Sequence, residues 1–343
     1  MSFSRDKTEI DEGDTVILYL SASNMHAFRV QPTIKNKHGE LVENVFQTTY
    51  GALKVASLVG VKFGSKVQMS RGWAFVLQPN PELWTLTLPH RTQIIYTADI
   101  SLIVFHLELR PGSFVVESGT GSGSLTHALA RRVGAHGTVR TFDFHDQRAQ
   151  IATEEFAQHG LSNVVQVACR DVSCDGFGED VQGRADAVFL DLPHPWLVVH
   201  HAVAAFKLDG GRFASFSPCI EQVQKTVAAL RENGFLEVTT MECLQREILV
   251  NNRTLAVASV ETSDSKEPAG RLDERSQTVA SDSSDKLELV CTNYQNTMPG
   301  HTGYLTFATL PPVWARNISS SACPSDPDGD DGGSAPVIET AGL

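Results

Sequence analysis

Three glycines and a set of carboxylates fall at spacings that suit the binding of a nucleotide-like ligand. The run Glu117-Ser-Gly-Thr-Gly-Ser-Gly-Ser124 follows the apolar stretch FVVE and precedes the helix-forming stretch LTHALARR. Gly119, Gly121 and Gly123 permit a tight turn and leave no Cβ in the way of a ligand approaching the backbone. Clustered glycines alone are equally a structural turn, so spacing has to discriminate. A dinucleotide fingerprint needs a glycine where Ser124 stands, and a phosphate-binding loop needs a Gly-Lys-Ser/Thr step that is missing here. The pattern present is E-x-G-x-G-x-G, with Glu117, Ser122 and Ser124 as polar companions of the three glycines.

Further acids stand at the ends of apolar runs. Asp143 closes the run VRTF, and a carboxylate there can accept hydrogen bonds from both hydroxyls of a ribose. Asp171 stands in CRDV, where it can accept from an adenine amino group. Either acid alone reads equally well as a helix N-cap after a strand. The glycine loop with both acids, each at a strand's C-terminal end, points to a bound nucleoside, because ligands of such sheets sit at that edge. Asp191 lies in Phe189-Leu-Asp-Leu-Pro-His-Pro-Trp196, where two prolines make a rigid wall beside the acid; a proline-shaped strand exit is the structural alternative. The glycine loop resembles the first motif of the Rossmann-like methyltransferases, which place the methionine moiety and ribose of S-adenosylmethionine there.

These residues need a frame. Strand signals at 114–117, 139–144, 164–170, 187–190, 212–217 and 236–241 alternate with helix signals at 124–132, 146–158, 196–206 and 219–233. That alternation predicts an α/β fold with a parallel sheet over residues 81–312, and the resemblance of its glycine loop implies that this is a Rossmann-like class I methyltransferase domain. The apolar run 304–310 returns as an antiparallel last strand, and a helix is expected from Thr92 to Leu109, ended by Arg110-Pro-Gly. Residues 1–80 carry short alternating apolar runs punctuated by Gly13, Gly39 and Gly72, which predicts a small N-terminal β-module. The Ser-, Thr- and acid-rich stretch at about 251–290 reads as a flexible loop, and 313–343 as a disordered tail.

Composition sets limits. With 343 residues, 41% of them hydrophobic, the chain can build one sizeable core plus a smaller module. Charges fill the first ten residues where a signal peptide would need an apolar stretch, so a soluble intracellular protein is expected. Six cysteines without a CxxC pair read as idle thiols, and the adjacent His200 and His201 would not share a helix face, so no metal is expected. The net charge of −12 is unevenly spread. Residues 251–343 sum to about −7, whereas residues 21–80 carry Arg29, Lys35, Lys37, Lys54, Lys62, Lys66 and Arg71 against Glu40 and Glu43, a local excess of about +5.

Several long segments then match one family in order. PELWTLTLPHRTQIIYTADI (81–100), VVESGTGSGSLTHAL (115–129), FLDLPHPW (189–196), FSPCIEQVQKT (216–226) and HTGYLTFAT (301–309) resemble the catalytic subunit of the eukaryotic tRNA (adenine-58-N1)-methyltransferase. The resemblance implies methyl transfer from S-adenosylmethionine to N1 of adenosine 58 in the tRNA T-loop. It implies Asp191 as the main catalytic residue, facing the positive charge that develops on the methylated ring. It places Gln93, Ile94, Ile95, Tyr96 and Thr97 along the cofactor and the incoming nucleotide, although Ile95 and Tyr96 also suit ordinary helix packing. Arg148 would neighbour the cofactor after Asp143, and Val172 would do so after Asp171. Leu190, Leu192 and Pro193, with Ser215, Phe216, Ser217, Pro218 and Gln222, would shape the adenosine pocket.

The implied partners are tRNA and a non-catalytic RNA-binding subunit, in a heterotetramer of two heterodimers located in the nucleus. A predominantly acidic catalytic chain suits that arrangement, since the RNA's phosphates need a basic surface from elsewhere. The sequence departs from the family pattern at Asp143, where relatives often carry the longer Glu, and at residues 47–58, which look like extra sequence. Two other readings stand beside this one: a methyltransferase for another RNA, a protein or a small molecule, and a non-catalytic RNA-binding subunit. The second would be expected to have lost the glycine loop or the strand-end acids.

Overall fold

The computed structural model describes Phe3, residues 6–246, 248–256 and 286–294, Thr297, Gly300 and residues 302–316. The chain divides into two compact units, residues 1–242 with 303–343, and residues 243–302.

The first unit opens with the expected β-module. Strands β1 (Thr15–Ser21), β2 (Asn24–Arg29), β3 (Thr33–Lys35), β4 (Leu41–Glu43), β5 (Val45–Thr48), β6 (Gly51–Lys54), β7 (Lys66–Met69) and β8 (Gly72–Leu77) follow one another. A four-stranded sheet in the order β2-β1-β8-β7 carries the module, with β3–β4 and β5–β6 as separate antiparallel pairs. Residues 47–58, which the sequence left unassigned, supply part of this core. They form β6 and a 3₁₀ turn, Val55–Leu58, and bury Leu53, Val55 and Leu58 beside Val16, Leu18 and Val76.

Helix α1 (Pro81–Thr87) starts from Asn80, whose side chain accepts from the Leu83 amide, with Pro81 at the first helical position. Helix α2 follows at Thr97–His106. The α/β core then runs β9 (Phe114–Ser118), α3 (Ser124–Val133), β10 (Thr138–Asp143), α4 (Asp146–Gln158), β11 (Val165–Cys169) and α5 (Val172–Asp175). It continues through β12 (Ala187–Asp191), α6 (Val199–Ala205), β13 (Gly211–Ser217), α7 (Ile220–Glu232) and β14 (Leu236–Met241). In the second unit, β15 (Ile248–Ala256) pairs antiparallel with β16 (Lys286–Tyr294). The first unit closes with β17 (Tyr304–Leu310) and α8 (Val313–Arg316).

The large sheet has the order β11-β10-β9-β12-β13-β17-β14. Its first five strands are mutually parallel, and β17 runs antiparallel to both β13 and β14. Alternation along the strands sorts side chains into two layers. Val115, Ala187, Phe189 and Ala214 face one layer with Ile103, Leu129 and Phe156. Val116, Val188, Leu190 and Phe213 face the other with Val199, Ala202 and Phe206. Among the described residues no helix is long and apolar enough to cross a membrane.

Three expectations need correction. The helix expected from Thr92 begins only at Thr97, and the Ile95 carbonyl, an acceptor that a helix from Thr92 would use, is taken by Ser124 Oγ. The stretch read as a loop at 251–290 carries strands at both ends, Ile248–Ala256 and Lys286–Tyr294, since Ile, Leu and Val recur there; residues 257–285 lie outside the described residues. The tail read as disordered from 313 begins with α8, tied by the Val313 amide to the Leu208 carbonyl at 2.9 Å; residues 317–343 lie outside the described residues.

Candidate active site

At the C-terminal edge of the parallel strands lies a cavity of about 330 Å³. The glycine loop, the ends of β10, β11 and β12, and the segment 92–95 line it. The loop leaves β9 and enters α3 with all three glycines at positive φ, +100° at Gly119, +51° at Gly121 and +77° at Gly123. The space their missing side chains leave is filled by the protein itself. A Cβ at Gly119 would lie 2.3 Å from the Asp191 carbonyl oxygen, one at Gly121 2.6 Å from Thr92 Oγ1, and one at Gly123 3.0 Å from the Phe156 ring. The glycines therefore draw β12, segment 92–95 and α4 onto the loop, where the sequence alone had suggested room for a ligand.

Segment 91–96 is held across the loop by two serines. Ser122 Oγ accepts from the amides of Arg91 and Thr92 at 2.9 and 3.1 Å, and Ser124 Oγ donates to the Ile95 carbonyl at 2.9 Å. Those bonds hold the segment against the loop and bring Gln93, Ile94 and Ile95 to the cavity. The ion pair between Arg91 and Glu155 of α4, at 2.7 Å, fastens the same segment from the other side.

Four carboxylates line the cavity: Glu117, Asp143, Asp171 and Asp191. Glu117 ends on the same face of the sheet as Val115 and is only 1% exposed. It accepts from Thr126 Oγ1 at 2.7 Å. Burial pushes its carboxyl up to about 7 despite hydrogen bonds from Thr126 and Thr141, and the charge of Asp191 adds to the rise. Asp191 shares the face of Phe189, and burial raises it to about 6. The loop after Asp191 is braced from α7, where Gln222 Nε2 donates to the Pro193 carbonyl at 2.9 Å and Lys225 Nζ sits 4.8 Å from the Trp196 ring centre.

Asp143 is already well occupied. It accepts from Arg148 at 2.8 Å, from the His145 amide at 2.9 Å and from the Gly121 amide at 3.2 Å. A ribose at this carboxylate shares it with Arg148, so Arg148 acts on the site through Asp143 while also lining the cavity. Asp171 does both things the sequence allowed: it caps α5 by accepting from the Ser173 amide at 3.0 Å, and it lines the cavity beside Val172.

The remaining expected site residues divide. Leu192 and Pro193 line the cavity. Leu190 is fully buried in the opposite layer, as its parity with Asp191 on β12 requires. Ser215 and Ser217 are likewise buried, on the face of Phe213, while Phe216 packs against the layer of Ala214. Pro218 is exposed, and Gln222 braces the Asp191 loop without lining the cavity. Tyr96 caps α2 half-exposed and Thr97 begins that helix; neither lines the cavity. Sequence reasoning missed Thr92, Phe144, Arg170 and His194, which do line it and adjoin residues already singled out. His200 and His201, expected on different faces, lie with ring centres 3.8 Å apart and ring planes tilted by 41°.

Residues 72–310 match the family described as the tRNA methyltransferase complex GCD14 subunit. The chain is similar to the tRNA (adenine(58)-N(1))-methyltransferase catalytic subunit TRM61 of Cryptococcus neoformans, with 47% identity over 244 residues, covering 70% of this chain and 53% of that protein. Its counterpart in Candida albicans is 37% identical over 342 residues, covering 90% of this chain and 98% of that protein. The chain thus spans about half the length of the Cryptococcus relative and nearly all of the Candida one. Among solved structures, a SAM-dependent O-methyltransferase from Thermotoga maritima is similar with a TM-score of 0.66 at 25% identity, covering 89% of this chain and 95% of that one.

Proposed function

This chain belongs to the family of the GCD14 subunit of the tRNA methyltransferase complex, and from that premise we propose that it methylates N1 of adenosine 58 in the tRNA T-loop, as the catalytic subunit. S-adenosylmethionine is the methyl donor, and when bound it supplies an electrophilic methyl group on a positively charged sulfur. The observation that carries the reading is the acid-lined cavity in which Glu117 and Asp191 share one face of the sheet.

The residues present fit that donor. Glu117, within the E-x-G-x-G-x-G turn, suits the cationic methionine end. Asp143 suits ribose hydroxyls, and Asp171 beside Val172 suits an adenine, its carboxylate toward the amino group and the valine against the ring. Asp191, braced by Gln222 through Pro193, is left for the target base. N1 of adenine offers a lone pair and has no proton to lose, so the reaction needs no general base there. What it needs is alignment, since N1 attacks the methyl in line, and a negative charge where the ring becomes positive. Asp191 can accept from the exocyclic amino group and face that charge, interacting more strongly with the transition state than with the neutral base. Its ionised form does this, and with a pKa of about 6 that form predominates above neutrality.

tRNA and a non-catalytic RNA-binding subunit are the partners, two heterodimers form the tetramer, and the complex acts in the nucleus. The chain's net charge of −12 supports a second subunit that completes the phosphate-binding surface. The basic excess of residues 21–80 contributes only part of it.

The test is transfer from labelled S-adenosylmethionine to unmethylated tRNA by the chain co-expressed with its partner, followed by nucleoside analysis. N1-methyladenosine at position 58 that disappears with Asp191→Ala is the expected result. Cofactor binding without transfer to tRNA would overturn the substrate, and full activity of the isolated chain would overturn the need for a partner. Light scattering of the purified complex and microscopy of the tagged chain test the tetramer and the nuclear location.

A further inference from the structure

Behind the glycine loop, away from the cavity, lies a buried polar cluster that none of the chemistry above uses. We propose that His127 is a positioning residue for the methyl-donor loop, locked in one tautomer by His159, and that the last turn of α4 thereby sets two walls of the cofactor cavity. The inference rests on the function proposed above and assigns that site its mechanical support.

The tautomers follow from the partners. His127 Nδ1 lies 2.6 Å from the Gly123 carbonyl oxygen, which can only accept, so Nδ1 carries the proton. In a neutral ring Nε2 is then a bare acceptor. His159 Nδ1 lies 2.9 Å from it and has to donate. The two imidazoles form a chain of one direction, His159 to His127 to the loop carbonyl. Burial keeps both rings neutral, lowering His127 to about 4 and His159 to about 2.

Packing fixes the rings in place. Phe3 lies against both, with ring centres 4.9 Å from His127 and 4.3 Å from His159. Trp84 stands edge-on to His159 at 4.7 Å, and Phe156 flanks His127 at 5.1 Å. Phe156 also lies under Gly123, so the loop is seated from below while its carbonyl is held from the side. Glu155, one residue before Phe156 and one turn before His159, holds Arg91 and with it segment 91–95. Neither histidine lines the cavity, but Gly123, Ser122 and Thr92, which this turn supports, all do.

The donor atoms of His127, Glu155 and His159 lie within 4.8 Å of one another, close enough to suggest a cation site. Charge and bonding argue for the hydrogen-bonded chain. Glu155 is committed to the Arg91 guanidinium, a fixed positive charge beside the place a cation would take, and both nitrogens of His127 are already in use.

The test compares His127→Leu, His127→Gln and His159→Phe in the complete complex, reading KM for S-adenosylmethionine and for tRNA, kcat, and cofactor affinity by calorimetry. His127→Leu removes the donor to Gly123 and is expected to raise the cofactor KM and Kd about tenfold, with the tRNA KM unchanged. His127→Gln, whose amide N–H can serve the same carbonyl, restores most of that loss. His159→Phe keeps the ring packing but frees the tautomer, and is expected to weaken cofactor binding about threefold. Unchanged cofactor affinity in both His127→Leu and His159→Phe would overturn the proposal, as would equal loss in the Leu and Gln variants. Stoichiometric zinc in the purified wild-type complex that is lost in His159→Phe would replace it with a cation site. Calorimetry reads the loop even if the wild type transfers no methyl to tRNA, which separates failure here from failure of the proposed function.

Discussion

Replacing Glu117 with Gln should make the cofactor-free protein more stable at high pH while weakening the site. Glu117 is 1% exposed, and burial holds its carboxyl at about 7 where the ordinary value is 4.5. Between those two pH values the folded chain keeps a proton that the unfolded chain has lost. The associated stability is complete below pH 4.5 and is lost as the pH rises through about 7. The displacement from 4.5 to about 7 corresponds to roughly 3 kcal/mol, most of it from burial and part from the neighbouring charge of Asp191. Glutamine resembles the protonated acid in shape and charge, so the variant and wild type should match near pH 4, below the ordinary value of 4.5. At pH 8 the variant should be the more stable by up to about 3 kcal/mol. Denaturant or thermal unfolding of both proteins without cofactor, at the two pH values, measures this, and titrating groups that do not interact with Glu117 cancel in the difference. A stability difference that does not change with pH would refute the reasoning. The same carboxyl gives a second readout: a cationic ligand favours its ionised form, so cofactor binding near neutral pH should release a proton. Calorimetry in two buffers of different ionisation enthalpy should show less proton release, and weaker binding, for Glu117→Gln.

Asp191→Asn keeps the size of the side chain but removes its charge; kcat should fall by about 10²-fold or more, equivalent to about 3 kcal/mol of barrier, and the acidic limb of kcat/KM near pH 6 should vanish with it. Gly119→Ala places a Cβ 2.3 Å from the Asp191 carbonyl oxygen at a φ of +100°, so it should lower the melting temperature and abolish cofactor binding, whereas Gly112→Ala, at +90° but in open space, should cost only the backbone strain. Arg91 and Glu155 are 15% and 13% exposed, so Arg91→Met alone should destabilise by about 3 kcal/mol and the double variant Arg91→Met, Glu155→Leu by less, as a double-mutant cycle of unfolding would report.

Much of this architecture was legible because its signals are local. In four of the five parallel strands a glycine or an acid is the last residue or stands within two positions of it, so β9, β10, β11 and β12 announced both themselves and the polar groups at their tips. The helical spacing of segment 92–96 misled, because Ser124 takes the Ile95 carbonyl that a helix would have used and Ser122 anchors the Arg91 and Thr92 amides to the loop, and nothing in the segment itself reveals that. Leu190 was placed in the pocket although strand parity sends it opposite to Asp191. Strands β3 and β4 have three residues each, all exposed, and carry too short a pattern to read. The support under the glycine loop joins His127 to His159 across 32 positions, and Arg91 to Glu155 across 64, with no motif spanning either interval.

The position of β17 bears on the order in which the protein can be made. This strand lies between β13 and β14, yet residues 242–303 separate it from β14 in the sequence. A ribosome therefore delivers β13 and β14 well before the strand that joins them. In that interval β13 presents a full edge of unpaired amides and carbonyls to any other chain nearby. Translation past Leu310 is the event that covers the edge of β13 and joins β14 to the sheet. A stop codon anywhere between 242 and 303 would leave the edge of β13 uncovered and the chain prone to aggregation, however intact the cofactor loop upstream of it.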